Sequence, residues 1–268
     1  MRGLAYLFHR WILHRPHLIA EIPALNLRFK VRTSDRNGRH LYKYRRHETD
    51  LTRFLCRNLR LEAGDVVIDI GANMGWYSLL IERLASARVD IFAFEPDPDN
   101  FGLLTENLAL NASAMITPVQ QALAEITGES QLHKYRDSNL GRHSLLPINS
   151  GESVSVATAA LDDFWQSRGL GNRIPRFIKI DVEGYELMAL RGAREVLARC
   201  PLILAEYSPT YMRAGGIRPE SLIEYLTELG YRPFALRDDQ LEAVDTVALR
   251  NSDTHRDLFW ARPGAVKF

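Results

Sequence analysis

Apolar residues follow two rhythms along this chain, and the order of those rhythms predicts its architecture. From Leu61 onward, short apolar runs at Val66–Ile70, Ile91–Glu95, Ile116–Ala122, Phe177–Asp181 and Leu202–Glu206 read as buried strands. Between them, three helical stripes recur: Trp76, Leu79, Leu80 and Leu84; Phe101, Leu104 and Leu108; and Leu187, Leu190, Val196 and Leu197. Asp97 followed by Pro98 has the chemistry of a helix start. Strands alternating with amphipathic helices predict an α/β, Rossmann-like fold, a mostly parallel sheet covered on both faces.

Three stretches depart from this rhythm. The segment from about 125 to 160, rich in Gly, Ser and Asn, predicts an inserted hairpin and loop on the strand-end face where open α/β sheets bind ligands. After a helix around Ser221–Leu229, the runs "GYRPFALRDD" and "RDLFWARP" predict a closing antiparallel hairpin. Residues 1–47 form an extension ahead of a principal domain spanning 48–268, and the extension is expected to be helical. Its Leu4, Leu7, Phe8, Trp11 and Ile12 recur at helical spacing, which predicts an amphipathic helix that packs on or lids the core in preference to weak peripheral membrane contact. Arg2, His9, Arg10, His14 and Arg15 break every apolar run well short of the roughly 20 residues a membrane span requires.

Composition narrows the setting. With 268 residues, 46% of them hydrophobic and 25% charged, the chain can bury one substantial core. A net charge of +1 supplies no global field for nucleic acid. Cys56 and Cys200 lie far apart, with no ligand spacing around them, so neither a disulfide framework nor a zinc site is expected, and a reducing cytoplasm fits.

The candidate chemistry starts at "VVIDIGANMGWYSLL", residues 66–80, where a strand ends in Asp69, turns through Gly71 and Gly75, and enters a helix. A dinucleotide fingerprint would need glycines where Asn73 and Trp76 stand, and Asp69 would repel a pyrophosphate. This disfavours a nicotinamide-dependent sugar-nucleotide dehydrogenase. S-adenosylmethionine, with an ammonium, a sulfonium and no phosphate, turns the repulsion into attraction. Asp69 then supports the turn and the charged end, and the glycines admit the backbone close to the ligand. Glu95, ending the next strand, accepts from both ribose hydroxyls, and Gln121 and Ala122 lie near the adenine.

"VVIDIGANMGWYS", "FAFEPDPDNF", "FIKIDVEGYELMALRGAREVL" and "ILAEYSP" resemble the motifs of FkbM-type methyltransferases, a branch of the class I S-adenosylmethionine-dependent enzymes. The resemblance covers roughly residues 48–207. It implies a seven-stranded sheet with an antiparallel C-terminal strand and transfer of a methyl group, usually to oxygen. It carries cofactor contacts to Asp69, Gly71, Asn73, Gly75, Ser78, Glu95, Gln121 and Ala122. The acceptor it implies is a hydroxyl on a sugar, a glycolipid precursor or a secondary metabolite; a non-catalytic binding module on the same fold is the remaining alternative.

A hydroxyl nucleophile must lose its proton, so a base is sought at the strand ends. Asp181 is the leading candidate as base or acceptor anchor, followed by Glu183, for which capping of the next helix through Gly184 is the competing role. Glu206 is a third acid on the same rim; the three could equally accept hydrogen bonds from a polyol or gather a divalent ion, and no metal is assigned. His143, in an insertion that also offers Ser138, Asn139, Arg142 and Ser144, is an alternative base, since an imidazole with a pKa of about 6.5 is mostly neutral at pH 7. Lys179 is expected to cover the sheet edge or pair with an acid, Asp162 to cap a helix, and Glu48 to approach the cofactor from above.

Overall fold

The computed structural model describes residues 2–135, 141–148 and 151–264. Ahead of the sheet, α1 (Arg2–Leu7) runs into a wider helical turn over Phe8–Ile12, and β1 (His17–Ile22) pairs antiparallel with β2 (Leu27–Arg32). Helices α2 (Arg36–Tyr44) and α3 (Thr49–Asn58) follow. The extension is therefore not all helical. Between 17 and 32 burial alternates with period two, Leu18, Ala20, Ile22, Leu27, Phe29 and Val31 facing inward, and that alternation can bury its apolar side only as strand. The hairpin rests on α5 (Pro98–Leu110), reached after α4 (Trp76–Leu84) in the chain, through Lys30 N–H to Asn107 Oδ1 at 2.7 Å and Arg28 N–H to Asn111 Oδ1 at 2.9 Å.

The main sheet begins with β3 (Val66–Ile70), β4 (Asp90–Phe94) and β5 (Ile116–Val119). The chain then leaves it for a side sheet of β6 (Ala122–Leu123), β7 (Gly128–His133) and β8 (Ser153–Ala159). It returns as β9 (Pro175–Ile180), β10 (Leu202–Tyr207), β11 (Arg232–Arg237), β12 (Gln240–Ala243) and β13 (Arg256–Ala261). The order across the sheet is β5-β4-β3-β9-β10-β13-β11-β12. The first five strands are parallel, and β13 is antiparallel to both its neighbours.

One expectation is extended here and one is corrected. The seven-strand pattern is present with an eighth strand, β12, added at its edge. The C-terminal hairpin joins β11 to β12, while β13 slots between β10 and β11. Asp238 and Asp239 cause this: both are left-handed, at φ 46° and 68°, the geometry of a tight two-residue hairpin turn. The inserted hairpin is present as β7 and β8, and the expected strand 116–122 splits where β6 turns away to pair with β8.

Strand alternation divides the core. Val66, Ile68 and Ile70 join the apolar layer of one face, and Val67, Ala93, Phe177, Leu204 and Phe259 join the other. Counting on by twos from the second set reaches Asp69, Glu95, Lys179, Glu206 and Asp257, so polar groups of five strands share one face. Register aligns them: Asp69 lies opposite Lys179, and Glu206 opposite Asp257. Asp162 does cap a helix, though a distant one, accepting the N–H groups of Glu195 at 2.9 Å and Val196 at 3.0 Å. Among the described residues no helix is long and apolar enough to cross a membrane, and both cysteines are free thiols.

Candidate active site

At the C-terminal ends of β3, β4 and β9 a cleft opens to solvent. The glycine turn forms its floor. Gly71, at φ 77°, sits so close to β9 that a Cβ would lie 2.0 Å from the Asp181 carbonyl oxygen, so only glycine lets the turn and the acid meet. Asn73, at φ 52°, takes the left-handed conformation that asparagine tolerates, and its N–H donates to Glu95 Oε2 at 2.8 Å. Glu95 Oε1 accepts the Asp97 N–H at 2.9 Å. One carboxylate thus ties the β3 turn to the β4 turn and retains lone pairs for a ligand. Burial lifts its pKa to about 7, against the pull of the two N–H donors.

Of the predicted residues, Gly71, Asn73, Glu95, Gln121, Ala122, His143, Asp181 and Glu183 line this cleft. Asp69, Gly75, Ser78 and Glu206 are not among its lining residues. Asp69 is fully buried behind the turn, where its Oδ2 accepts the Ser78 hydroxyl at 2.5 Å and Lys179 is its register partner. It supports the turn from beneath, and Ser78 serves Asp69; neither reaches the cleft surface. Gly75, at φ 88°, is packed against Leu104, and its role is to turn the chain into α4.

Lys179 organises the acidic rim. Its ammonium lies 3.4 Å from Asp181 Oδ2 and 5.1 Å from the centre of the Tyr77 ring. Burial disfavours its charge, yet Asp181, Asp69, Glu48 and Asp257 outweigh that and hold its pKa above the ordinary lysine value. Tyr77 donates to Glu48, bringing the residue ahead of α3 into the cleft wall. His47 closes the wall with its ring 5.4 Å from Trp76, and burial lowers its pKa.

Asp181, Glu183 and Glu206 bring a carboxylate oxygen each within 4.8 Å of one another, close enough to hold one divalent ion or to disfavour one another's charge. Glu206 is held by the Ser208 hydroxyl at 2.7 Å and by His255 Nε2 at 2.8 Å. Burial raises Glu206, His255 and Ser208 oppose that, and the bond to Glu206 raises His255. Glu183 does not cap the following helix. Glu186, the first residue of that helix, reaches back to the turn ahead of it, its Oε1 accepting the N–H groups of Val182 at 3.0 Å and Gly184 at 3.2 Å. Glu183 is instead held left-handed at φ 54°, its carbonyl accepting the Ser144 hydroxyl at 3.1 Å; a strained non-glycine residue at a cleft marks a positioned side chain. Burial and the charges of Glu206 and Asp181 lift its pKa to about 9.

His143 lines the cleft, but its Nδ1 accepts the Tyr135 N–H at 3.2 Å, which leaves Nε2 carrying the proton. The ring therefore presents an N–H donor to the cleft in this geometry, and its use as a base requires the Tyr135 bond to open. Ser138 and Asn139 lie outside the described residues. Sequence reasoning missed Tyr77, His47, His255 and Asp257 and gave Lys179 no place in the site. A lysine inside the apolar run "FIKI" is a signal for it, since a buried ammonium requires carboxylate partners.

The carboxylate rim yields a thermal test. A folded pKa of about 9 for Glu183, against an ordinary value of 4.5, means the folded state favours its protonated form. That contribution is fully present below the ordinary value and is lost as pH rises toward the folded one. Glu183→Gln imitates the protonated acid, so the variant and the parent should melt alike near the low end of this window. The variant should melt progressively higher than the parent as pH rises. A difference that stays constant with pH would remove the burial argument.

The strand order, the antiparallel β13 and the glycine turn beside an acid that ends β4 define a class I methyltransferase fold. Residues 69–233 match the methyltransferase FkbM domain, and the chain belongs to that family. It is 28% identical over 216 residues to the hexuronic acid methyltransferase AglP of Haloferax volcanii, covering 80% of this chain and 81% of the relative. It is 27% identical over 187 residues to the 31-O-demethyl-FK506 methyltransferase FkbM of Streptomyces tacrolimicus, covering 59% and 70%. Among solved structures, methyltransferase FkbM from Methylobacillus flagellatus aligns with a TM-score of 0.48 at 17% identity, covering 84% of this chain and 54% of that one.

Proposed function

We propose that the protein transfers the methyl group of S-adenosylmethionine to a hydroxyl of a sugar-like acceptor. The observation that carries this reading is Glu95, whose two oxygens each hold a backbone N–H and still offer lone pairs to the cleft. A pair of vicinal ribose hydroxyls suits such an acceptor-only group. The donor set of the cleft also fits the cofactor: Glu48, Glu95, Asp181 and Glu183 give its wall an acidic character suited to a sulfonium and an ammonium and hostile to a pyrophosphate. Gln121 and Ala122 form the part of the wall beyond Glu95 where the adenine would rest.

When bound, S-adenosylmethionine supplies an electrophilic methyl group to an in-line nucleophile. The residues of this chain do the rest. They hold the acceptor oxygen in line, a positioning effect, and they take its proton. Asp181, fixed by Lys179, is the group assigned to the acceptor hydroxyl, with Glu183 and Glu206 as the neighbouring carboxylates that can share the proton. The acceptor class follows from chemistry and kinship together. Carboxylates in a row suit a polyol, and two relatives are named a hexuronic acid methyltransferase and a 31-O-demethyl-FK506 methyltransferase. The free thiols of Cys56 and Cys200 suit a reducing, cytoplasmic setting.

Titration with S-adenosylhomocysteine in a calorimeter tests the cofactor. A saturable heat with one site per chain is the expected result; no heat and no thermal shift would end the reading. With binding established, release of labelled S-adenosylhomocysteine on adding glucuronosides, but not on adding their fully O-methylated counterparts, tests the acceptor.

A further inference from the structure

Outside the cleft, residues 4–13 carry the densest run of exposed apolar side chains among the described residues. Eleven large apolar side chains are exposed among the described residues, and six of them are Leu4, Leu7, Phe8, Trp11, Ile12 and Leu13. Leu4 is 74% exposed, Trp11 61% and Ile12 64%. A contiguous apolar patch of this kind on a protein surface marks an interaction site.

The helix is anchored from its opposite side. Tyr6, spaced half a turn from the Leu4, Phe8 and Trp11 stripe, is 1% exposed and donates its hydroxyl to the Thr33 carbonyl. Its ring lies 6.0 Å from that of Tyr42, with the Lys43 ammonium 5.0 Å above it. The body of the protein thus grips one side of the helix and turns the apolar stripe outward. Burying the stripe against α2 would require withdrawing Tyr6.

The charge around the stripe identifies what meets it. Residues 2–20 contain Arg2, Arg10 and Arg15, with His9, His14 and His17, and no acidic residue. Arg2 and Arg15 are exposed, and the Arg10 guanidinium lies 4.8 Å from the centre of the Trp11 ring. An apolar stripe bearing a tryptophan, flanked by arginines, is the arrangement that lies flat in the interface of an anionic bilayer. We infer that residues 4–13 dock this protein on an anionic lipid surface, lying in the headgroup layer and not crossing it. A second protein copy would bring the same three arginines together, which argues against self-association. This inference is independent of the methyl-transfer reading, although the same chain segment continues into Asn37, His47 and Glu48 of the cleft wall.

The test uses the full chain and vesicles of phosphatidylcholine with or without a third of phosphatidylglycerol. The expected result is co-sedimentation with the anionic vesicles that weakens with added salt, and little with phosphatidylcholine alone. Trp76, Trp165 and Trp260 are buried at 3%, 3% and 0% exposure, so a blue shift of tryptophan emission on binding reports Trp11. Trp11→Ser with Ile12→Ser should weaken binding at least about tenfold, and Arg2→Glu with Arg15→Glu by about tenfold, with circular dichroism and calorimetric S-adenosylhomocysteine binding unchanged. Failure of the parent to bind anionic vesicles overturns the inference, as does binding that both variants retain. A dimer in solution that Trp11→Ser with Ile12→Ser dissociates also overturns it, in favour of a second copy as the occupant.

Discussion

Glu95→Gln is expected to weaken S-adenosylhomocysteine binding on the order of 100-fold. The carboxylate accepts from Asn73 N–H and Asp97 N–H at once, one on each oxygen, and a glutamine has only one oxygen to give. One buried backbone N–H then faces an NH₂ group, at a cost of about 1–3 kcal/mol. The ribose loses an ionic acceptor as well, a hydrogen bond worth about 1.5–3 kcal/mol when charged. The first cost falls on the free and the bound protein alike and reads as lower stability; the second, at up to about 3 kcal/mol, corresponds to roughly two decades in Kd. The pH dependence separates the two causes. Because the Glu95 pKa is lifted to about 7, the parent should bind more tightly as pH rises through neutrality, when the carboxylate form predominates. The variant should show no such slope. Calorimetric titrations across this range measure both, and an unaltered affinity would place the ribose elsewhere.

The parts of this site that the sequence reveals are those fixed locally. "DIGANMG" gives the turn because glycine and asparagine are the residues that accept positive φ, and both the turn and its acid partner Glu95 lie at strand ends that apolar runs already mark. The parallel sheet is legible for the same reason. Other features depend on register between strands, which no local pattern encodes. Asp257 and His255 join the site only because β13 inserts between β10 and β11 and sets Asp257 opposite Glu206. Lys179 is central because β9 lies beside β3 with Lys179 at the level of Asp69. "DVEGYE" illustrates the limit: it offers two glutamates, and no local pattern shows that Glu183 takes a positive φ at the cleft while Glu186 binds the N–H groups of Val182 and Gly184 in the turn before it. In the extension, the apolar spacing of residues 4–12 suggests a helix correctly, while the period-two pattern of 17–32 is the element that a helical expectation passed over.

Asp181→Asn should lower turnover by at least about tenfold, and by up to 10²–10⁴-fold if Asp181 alone accepts the proton. The substitution keeps the shape of the side chain. It also keeps the backbone, where Asp181 N–H donates to the Ile70 carbonyl at 3.1 Å and extends the pairing of β9 with β3. Gly71 can therefore remain in contact with the Asp181 carbonyl, and the cofactor turn should stay in place, with S-adenosylhomocysteine affinity within a few-fold of the parent. Two things change. The acceptor hydroxyl loses an anionic partner, and Lys179 loses the carboxylate 3.4 Å from its ammonium, so the ammonium turns toward Asp69, Glu48 and Asp257. The size of the effect tells the groups apart. A carboxylate that takes the proton directly leaves a low kcat with a nearly unchanged KM, whereas one that only anchors the acceptor raises KM. If proton transfer passes instead through Glu206 and its partner His255, held at 2.8 Å, Glu206→Gln will exceed Asp181→Asn in its effect on kcat and shift the pH profile, because His255 loses the partner that raises its pKa. Turnover undiminished in both variants would remove Asp181 and Glu206 from the chemistry and leave Glu183 as the remaining carboxylate of the group.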